Sequence, residues 1–421
     1  MAGDPCRARS DAVSNLVRHG MFVIALVLAG LATWRVIVTG LADRLINGAP
    51  EQALLWEPHN PSALLAVAKR QLDDDNPDPA AATARELLRV EPLTGEGFVI
   101  LAKVAEKAGD LAHAETLYGI AVRRAPRNVY ARAWIVENLL RKNRYRDALD
   151  QFDTLFRIAA EQARKFLPHF TQLADTPEFT HALAAAFESH VPWKADMLLA
   201  LLEHGSRDAV DNIFGALQLK GDLASDETGR WLDRLMRDGL WGEAYSRWVG
   251  GLTLTPGAPL PLLYNGGFET EPTSIGFDWR VRPTVGVTIE REPVAGATGS
   301  FAIDIGFAGR RVPEVNLEQR LFLAPGAYRF SFRAHAEALN SDKGLQWALQ
   351  CFGQNQPLAA SALLEGSFAW KRFETAFVVP DDNCPSQRIW LRNPGAAAAG
   401  KEVGGEIWFD DFAVSRDRNA H

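Results

Sequence analysis

The sequence predicts α and β domains in series: an N-terminal transmembrane helix, an α-solenoid of helical hairpins and a C-terminal antiparallel β-sandwich. Three observations predict it, namely one apolar run near the N-terminus, prolines spaced 34 residues apart, and two-residue alternation after residue 261. The length of 421 residues agrees, because it suits two to four folded units of about 100–200 residues each.

The first element is the apolar run 22–41. As a helix it would span about 30 Å, the thickness of the hydrocarbon core of a bilayer. We therefore expect a transmembrane helix over 21–42, preceded by a segment over 1–20. A cleaved signal peptide, with small residues such as Gly30 and Ala32 before the cut, is the alternative.

Basic residues flank the apolar run unequally. Arg7, Arg9 and Arg18 precede it, whereas only Arg44 follows it closely. The positive-inside rule then places the N-terminus in the cytoplasm. The bulk of the chain is expected to be periplasmic or otherwise extracytoplasmic, held at the inner (cell) membrane.

The second element repeats every 34 residues. Pro58, Pro92 and Pro126 set the period, which resembles the tetratricopeptide repeat. In the middle repeat the matching positions are Phe98, Leu101, Ala102 and Ala105, the turn Gly109-Asp110, then Ala114, Tyr118 and Ala121. Helical periodicity continues after the register is lost at Ala160, so we expect hairpins over 50–252. Such repeats usually bind a partner protein on a concave surface; the alternative is a spacer.

A β module follows a proline-rich linker over 253–261. Tyr328, Phe330 and Phe332 alternate with polar residues directly after a Pro325-Gly326 turn, which is typical of a half-buried strand. Similar alternation recurs around Trp347 and Phe373. Short strands separated by Gly, Pro and Asn predict a β-sandwich over 262–416.

Motifs in this module resemble the carbohydrate-binding modules of families 4 and 9. They are Leu263-Tyr264-Asn265-Gly266-Gly267-Phe268-Glu269 followed by Trp279, the strand PGAYRFSFRA, Trp370-Lys371-Arg372-Phe373, and Ile407-Trp408-Phe409-Asp410-Asp411-Phe412. The resemblance implies a jelly-roll sandwich, often with a structural calcium ion near the first and last strands and sometimes with a glycan groove.

Two carboxylates are candidates for that calcium ion. The first and last strands of a sandwich can be neighbours, and Glu269 and Asp410 would then supply hard oxygen ligands. The alternative is that Glu269 caps backbone amides and that Asp410 belongs to a solvated pair. No other cofactor is expected.

The best sugar-binding candidates lie on two segments. If Ile389 and Leu391 face the core, alternation displays Trp390, Arg388 and Arg392 on the opposite face, where an aromatic ring can stack on a sugar. Gln346 and Gln350 would share this face and offer planar amides for paired hydroxyls. The alternative is that Trp390 packs under a loop or an arginine stem. Trp279, Trp370 and Trp408 are expected to be structural.

Two of the three cysteines lie in the β module. Cys351 ends one predicted strand and Cys384 leads into another, so we expect a disulfide in an oxidising compartment. Two buried free thiols are the alternative. Cys6 lies on the other side of the apolar run.

No sequence motif points to catalysis. A nucleophile elbow, a P-loop, a zincin helix and paired CxxC are absent from the sequence. The net charge of −7 argues against nucleic acid as a partner. We therefore expect a non-enzymatic, membrane-anchored scaffold that binds a partner protein and a glycan, accessory to envelope or exopolysaccharide assembly. The alternatives are an adaptor whose sandwich binds protein and no sugar, and a glycoside hydrolase.

Overall fold

The structure is a computed structural model that describes residues 5–253, 259–312, 314–394 and 402–417, with residues 5–20, 23 and 25 described as backbone only. The chain divides into two compact units, Met1–Ala200 and Leu201–His421. The expected linker over 253–261 falls in the second unit, and its residues 254–258 lie outside the described part.

The N-terminal part of the chain is helical. Its helices are α1 (Pro5–Leu45), α2 (Pro50–Trp56), α3 (Pro61–Asp73), α4 (Pro77–Val90), α5 (Gly95–Lys107), α6 (Leu111–Arg124), α7 (Val129–Arg141), α8 (Tyr145–Ile158), α9 (Ala160–Arg164), α10 (Leu167–Leu173), α11 (Pro177–Phe187), α12 (Lys194–His204), α13 (Arg207–Lys220), α14 (Ser225–Arg237) and α15 (Trp241–Gly250).

Helix α1 contains the predicted apolar run. Its stretch Leu26–Leu45 is long and apolar enough to cross a membrane, and 6% of it is buried in the protein. A signal sequence meets the same criteria of length and composition. The apolar helix is thus confirmed, and its orientation stays a prediction. Cys6 lies in the part of α1 that is described as backbone only.

Three successive hairpins follow the predicted period. Helices α3, α5 and α7 begin after the N-caps Asn60, Thr94 and Asn128, each 34 residues beyond the last. The side-chain oxygens of Asn60 and Asn128 accept from the amides of Ala63 and Ala131 at 3.0 and 2.9 Å, which satisfies donors that the first turn of a helix leaves free. The 34-residue helical hairpin is confirmed.

Alanines and aromatic rings pack these hairpins as the repeat predicts. Ala102 and Ala114 are fully buried where α5 and α6 meet, since small side chains let two helices approach closely. Tyr118 is buried as well and its ring centroid lies 4.5 Å from that of Trp134 in the next hairpin. The apolar stripe of one hairpin is therefore covered by the next one.

The C-terminal part of the second unit is an antiparallel β-sandwich. Its strands are β1 (Arg280–Val281), β2 (Val287–Pro293), β3 (Phe301–Arg311), β4 (Glu314–Leu321), β5 (Gly326–Asn340), β6 (Gln346–Cys351), β7 (Pro357–Ala360), β8 (Gly366–Val379), β9 (Gln387–Arg392) and β10 (Glu402–Arg416). They form two five-stranded sheets, sheet A in the order β1-β4-β9-β6-β7 and sheet B in the order β2-β3-β10-β5-β8.

The core of the sandwich lies between the two sheets. Phe330 and Phe332 from sheet B and Trp347 and Leu349 from sheet A are almost fully buried in one cluster, as the two-residue alternation predicts. Trp279 is also fully buried there, and its structural role is confirmed.

A disulfide joins Cys351, the last residue of β6, to Cys384 in the segment before β9. It closes a loop of 33 residues at one end of sheet A. The predicted pairing is confirmed.

Candidate functional site

Helix α14 lies against the outer face of sheet A. Asp233 accepts from Nη2 of Arg280 and Nη1 of Arg320, both at 2.8 Å. Burial would raise the pKa of Asp233, but the two guanidinium groups outweigh it and lower that pKa. Helix α15 adds aromatic contacts, since Trp241 lies 4.8 Å from Phe352 between ring centroids. Part of this face is thus covered from within the same unit.

The five predicted sugar-binding residues share this outer face. Strands β6 and β9 pair in a register that places Gln346 beside Arg392 and Gln350 beside Arg388. Ile389 and Leu391 point into the core and are fully buried. The alternation of residues along β6 and β9 therefore predicted correctly that Trp390 and its four polar neighbours lie on one face of the sheet.

The expectation that Trp390 is displayed to solvent is wrong, because its side chain is only 8% exposed. The guanidinium carbon of Arg388 lies 4.4 Å from the centroid of the Trp390 ring, and Nη1 of Arg388 donates to Glu318 at 3.0 Å. The ring packs under an arginine stem, which was the alternative interpretation.

One of the two amides on this face is engaged as well. With its oxygen turned toward Arg392, Gln346 accepts from Nη2 and Nε of that residue at 2.7 and 2.8 Å. Ala348 also points outward between Trp347 and Leu349, and it is fully buried. Sugar binding by these five residues stays a prediction, on a face where Gln346, Arg388 and Arg392 already bond to other groups of the protein.

The outer face of sheet B carries a row of aromatic rings. Trp408 on β10 pairs with His335 on β5, and the two rings stack at 5.0 Å between centroids. Trp370 on β8 continues the row, 5.9 Å from His335. All three side chains are half-buried, so each exposes part of its ring.

Hydrogen bonds fix the orientation of this aromatic row. The indole Nε1 of Trp408 donates to Glu292 and that of Trp370 to the carbonyl of Ala295, both at 3.0 Å. Nδ1 of His335 lies 2.7 Å from the carbonyl of Phe368, which only a protonated Nδ1 can satisfy. The rings are therefore held in place before any ligand arrives.

A glycine makes room for one of these rings. Gly296 adopts φ +85, and a Cβ added there would lie 2.8 Å from Cδ1 of Trp370. Any side chain at this position would strain the backbone and displace the indole. The row borders a cleft of about 420 Å³, lined by Glu292, Pro293, Val294, Ala295, His335, Glu337, Ala369, Trp370 and Trp408.

Five carboxylates lie on the same face as the aromatic row. They belong to Glu290, Glu292, Asp304, Glu337 and Glu406, which project from β2, β3, β5 and β10. Burial, and then the charges of three neighbouring glutamates, raise the pKa of Asp304 to about 7. Its Oδ1 is buried and accepts no hydrogen bond.

The expectation that Trp370 and Trp408 are structural stays a prediction, and both rings are in addition partly exposed on the outer face of sheet B. A signal for Trp408 was present in the sequence, because Ile407 and Phe409 flank it and both are fully buried. Alternation then sends Trp408 to the outer face. For Trp370 and His335 no local signal was available, since their proximity depends on how β5 and β8 pair.

The two predicted calcium ligands, Glu269 and Asp410, both accept hydrogen bonds from backbone amides of the segment 298–301. Oε1 of Glu269 accepts from the amides of Ser300 and Phe301 at 2.9 and 3.2 Å, and these amides lower the pKa of Glu269. Asp410 is fully buried, and its oxygens accept from the amides of Thr298 and Asp411 at 2.6 Å each. Burial raises the pKa of Asp410, although these amides oppose the shift.

This geometry agrees with the alternative for Glu269, which caps backbone amides, whereas Asp410 is buried and not solvated. In the described part of the chain, no group of three His, Cys, Asp or Glu side chains could hold a metal ion. A calcium ion at Glu269 and Asp410 would therefore need backbone carbonyls as further ligands, and its presence stays a prediction.

No protein-family model and no curated protein matches this sequence. Among solved structures, a family 4 carbohydrate-binding module is 18% identical, with 37% of this chain and 99% of the module covered and a TM-score of 0.29. The family 61 module in complex with β-1,4-galactotriose is 25% identical over the same shares, with a TM-score of 0.26. YrrB, a TPR protein with an unusual peptide-binding site, is 12% identical, with 50% of this chain and 93% of YrrB covered and a TM-score of 0.28.

Proposed function

We propose that this chain is a membrane-anchored scaffold whose β-sandwich binds a glycan on the outer face of sheet B. The observation that carries the proposal is the aromatic row Trp408–His335–Trp370, half-exposed beside a cleft. Aromatic faces stack on the C–H groups of a sugar ring, and carboxylates beside them accept hydrogen bonds from its hydroxyls.

The fixed orientation of the rings favours binding further. Each indole N–H already bonds to the protein. A ligand can therefore stack on the ring faces without first having to order these side chains. Pre-organisation of this kind reduces the entropy lost on association. The cleft on sheet B is a better stacking platform than the covered Trp390 on sheet A.

The proposal also assigns roles to the helical hairpins and to helix α1. We infer that the hairpins bind a partner protein, that α1 anchors the chain in the inner membrane with its N-terminus in the cytoplasm, and that the sandwich works outside it. The chain acts without catalysis, as an accessory of envelope or exopolysaccharide assembly. A structural calcium ion at Glu269 and Asp410 belongs to the same proposal, and a rise in melting temperature on adding calcium, reversed by a chelator, is its test.

A glycan array probed with the full-length chain in detergent tests the central part of the proposal. We expect binding to a restricted set of glycans, and weaker binding by a Trp370→Ala variant. A folded chain that binds no glycan on a broad array would instead favour the adaptor, in which the sandwich binds protein. A glycosidase would be recognised by product release from the bound glycans.

A further inference from the structure

The face of sheet B that contains the cleft carries an unusual concentration of negative charge. Glu290 on β2, Asp304 on β3 and Trp408 on β10 follow one another across the sheet in register, and Glu406 and Glu337 are paired in the neighbouring row. The carboxylates thus begin at the edge of the aromatic row and continue along the face beside it. Any ligand that stacks on Trp408 comes close to several of them.

Cations of the protein do not neutralise these carboxylates. Within the described part of the chain, no lysine or arginine forms an ion pair with any of the five. Glu337 lies 3.4 Å from Nε2 of His335. Arg333 is stacked 5.2 Å from Trp370 at the far end of the row, where it donates to Thr298.

Asp304 lies among the other carboxylates of the cluster. Asp304 has a buried oxygen that lacks a hydrogen-bond partner, and the charges of Glu292, Glu406 and Glu290 disfavour its ionised form. An uncompensated group of this kind is costly in the free protein. A positive charge on the ligand would relieve that cost, whereas a negative charge would add to it.

We propose that the sheet B cleft selects a glycan with free amino groups, that is, one containing hexosamine units without N-acetylation. The inference rests on the proposed function and names the class of its ligand. Stacking on Trp408 and Trp370 recognises the sugar ring, and protonated amines bond to carboxylates such as Glu292, Glu337 and Glu406. Charge-assisted hydrogen bonds of this type are stronger than neutral ones. Glycans rich in uronic acids are excluded by the same charges.

The test compares two oligosaccharides with the same backbone. The full-length chain in detergent, with EDTA present, is titrated calorimetrically with a β-1,4-linked glucosamine hexamer and with its fully N-acetylated counterpart. We expect the amine form to bind at least tenfold more tightly, and the difference to shrink as sodium chloride is raised. Equal affinity for the two forms would overturn the inference and leave glycan binding standing. Binding of neither form, together with an array on which no glycan is bound, would overturn the proposed function itself.

Variants identify the groups responsible. Glu337→Gln combined with Glu406→Gln should weaken binding of the amine form about fivefold, as expected for two part-exposed ion pairs, with little effect on the N-acetylated form. Glu365→Gln is the control, because it removes an exposed carboxylate of the sandwich that belongs neither to the cleft lining nor to the five carboxylates beside the aromatic row. If the double variant keeps the full preference for amines, the inference is wrong. Trp408→Ala should weaken both forms together.

Discussion

Nε1 of Trp408 donates to Oε1 of Glu292 at 3.0 Å, and this bond joins strand β10 to strand β2 across the intervening β3. It sets the plane of the indole on the outer face of sheet B, where His335 stacks against it. Asp304 lies between the two strands, in register with both Trp408 and Glu290. Glu292 therefore orients the Trp408 ring, while the negative charges of the neighbouring glutamates raise the pKa of Asp304.

The raised pKa of Asp304 predicts a pH-dependent stability. A carboxyl group with a pKa of about 7 in the folded protein and an ordinary lower value when unfolded holds its proton better in the folded state. Its contribution to the free energy of unfolding therefore falls as pH rises from about 4 to about 7. Asp304→Asn removes this loss, so the variant should become more stable than the wild type as pH increases.

The measurement is the melting temperature of both proteins from pH 5 to pH 8. Because Asp304 is partly exposed and screened by solvent, we expect a gain of about 1 kcal/mol at pH 8, or roughly 2–4 °C for a unit of this size. Asp382→Asn, at an exposed position before β9, is the matched control and should show no such trend. A difference independent of pH would contradict the raised pKa.

The ion pairs of Asp233 predict how α14 is held on sheet A. Arg280 is 6% exposed, so removing its carboxylate partner leaves a buried guanidinium without compensation. We expect Asp233→Asn to destabilise the second unit by about 2 kcal/mol, because an unpaired buried charge is costly. Asp226→Asn, near the start of the same helix, removes only a longer surface pair with Arg230. Equal unfolding midpoints for the two variants in urea would contradict the role of Asp233.

The lowered pKa of Asp233 also predicts that its stabilising contribution is lost in acid. Since the pKa of Asp233 is lowered in the folded protein, its contribution is present above the unfolded pKa and is lost as pH falls through the lower, folded value. The difference between Asp233→Asn and the wild type should therefore narrow below about pH 4. A constant difference down to pH 2 would argue against this linkage.

The disulfide predicts that its reduction lowers the stability of the second unit. A bridge that closes 33 residues restricts the unfolded chain by about 3–4 kcal/mol. Replacing Cys351 and Cys384 by serine should lower the urea midpoint of the second unit accordingly, and dithiothreitol should do the same to the wild type. Unchanged midpoints in both experiments would show that the bridge does not stabilise the folded protein.

Local patterns in the sequence predicted most of the fold. The 34-residue spacing of Pro58, Pro92 and Pro126 predicted three hairpins whose N-caps share that spacing, because the repeat encodes its turns and its small interface residues locally. Alternation on β9 likewise predicted that Ile389 and Leu391 are buried and that Trp390 points the other way. A strand's two faces can be assigned from its own residues.

Neither the cover over sheet A nor the cleft on sheet B could be predicted in this way. Asp233 binds Arg280 from 47 residues away along the chain. Trp408 and His335 meet because β10 pairs with β5, although 73 residues separate them along the chain. Contacts of this kind depend on the topology of the sheets, which no local spacing in the sequence encodes.

The most direct measurement of the central claim compares Trp408→Ala with Trp390→Ala in the full-length chain. Both remove one indole from an outer face of the sandwich, the first from the open cleft on sheet B and the second from the covered face of sheet A. Affinity for the oligosaccharide bound by the wild type is measured by titration calorimetry. We predict at least a tenfold loss for Trp408→Ala, as expected for an aromatic anchor, and an unchanged affinity for Trp390→Ala. Loss of binding in Trp390→Ala, with full affinity in Trp408→Ala, would contradict the account.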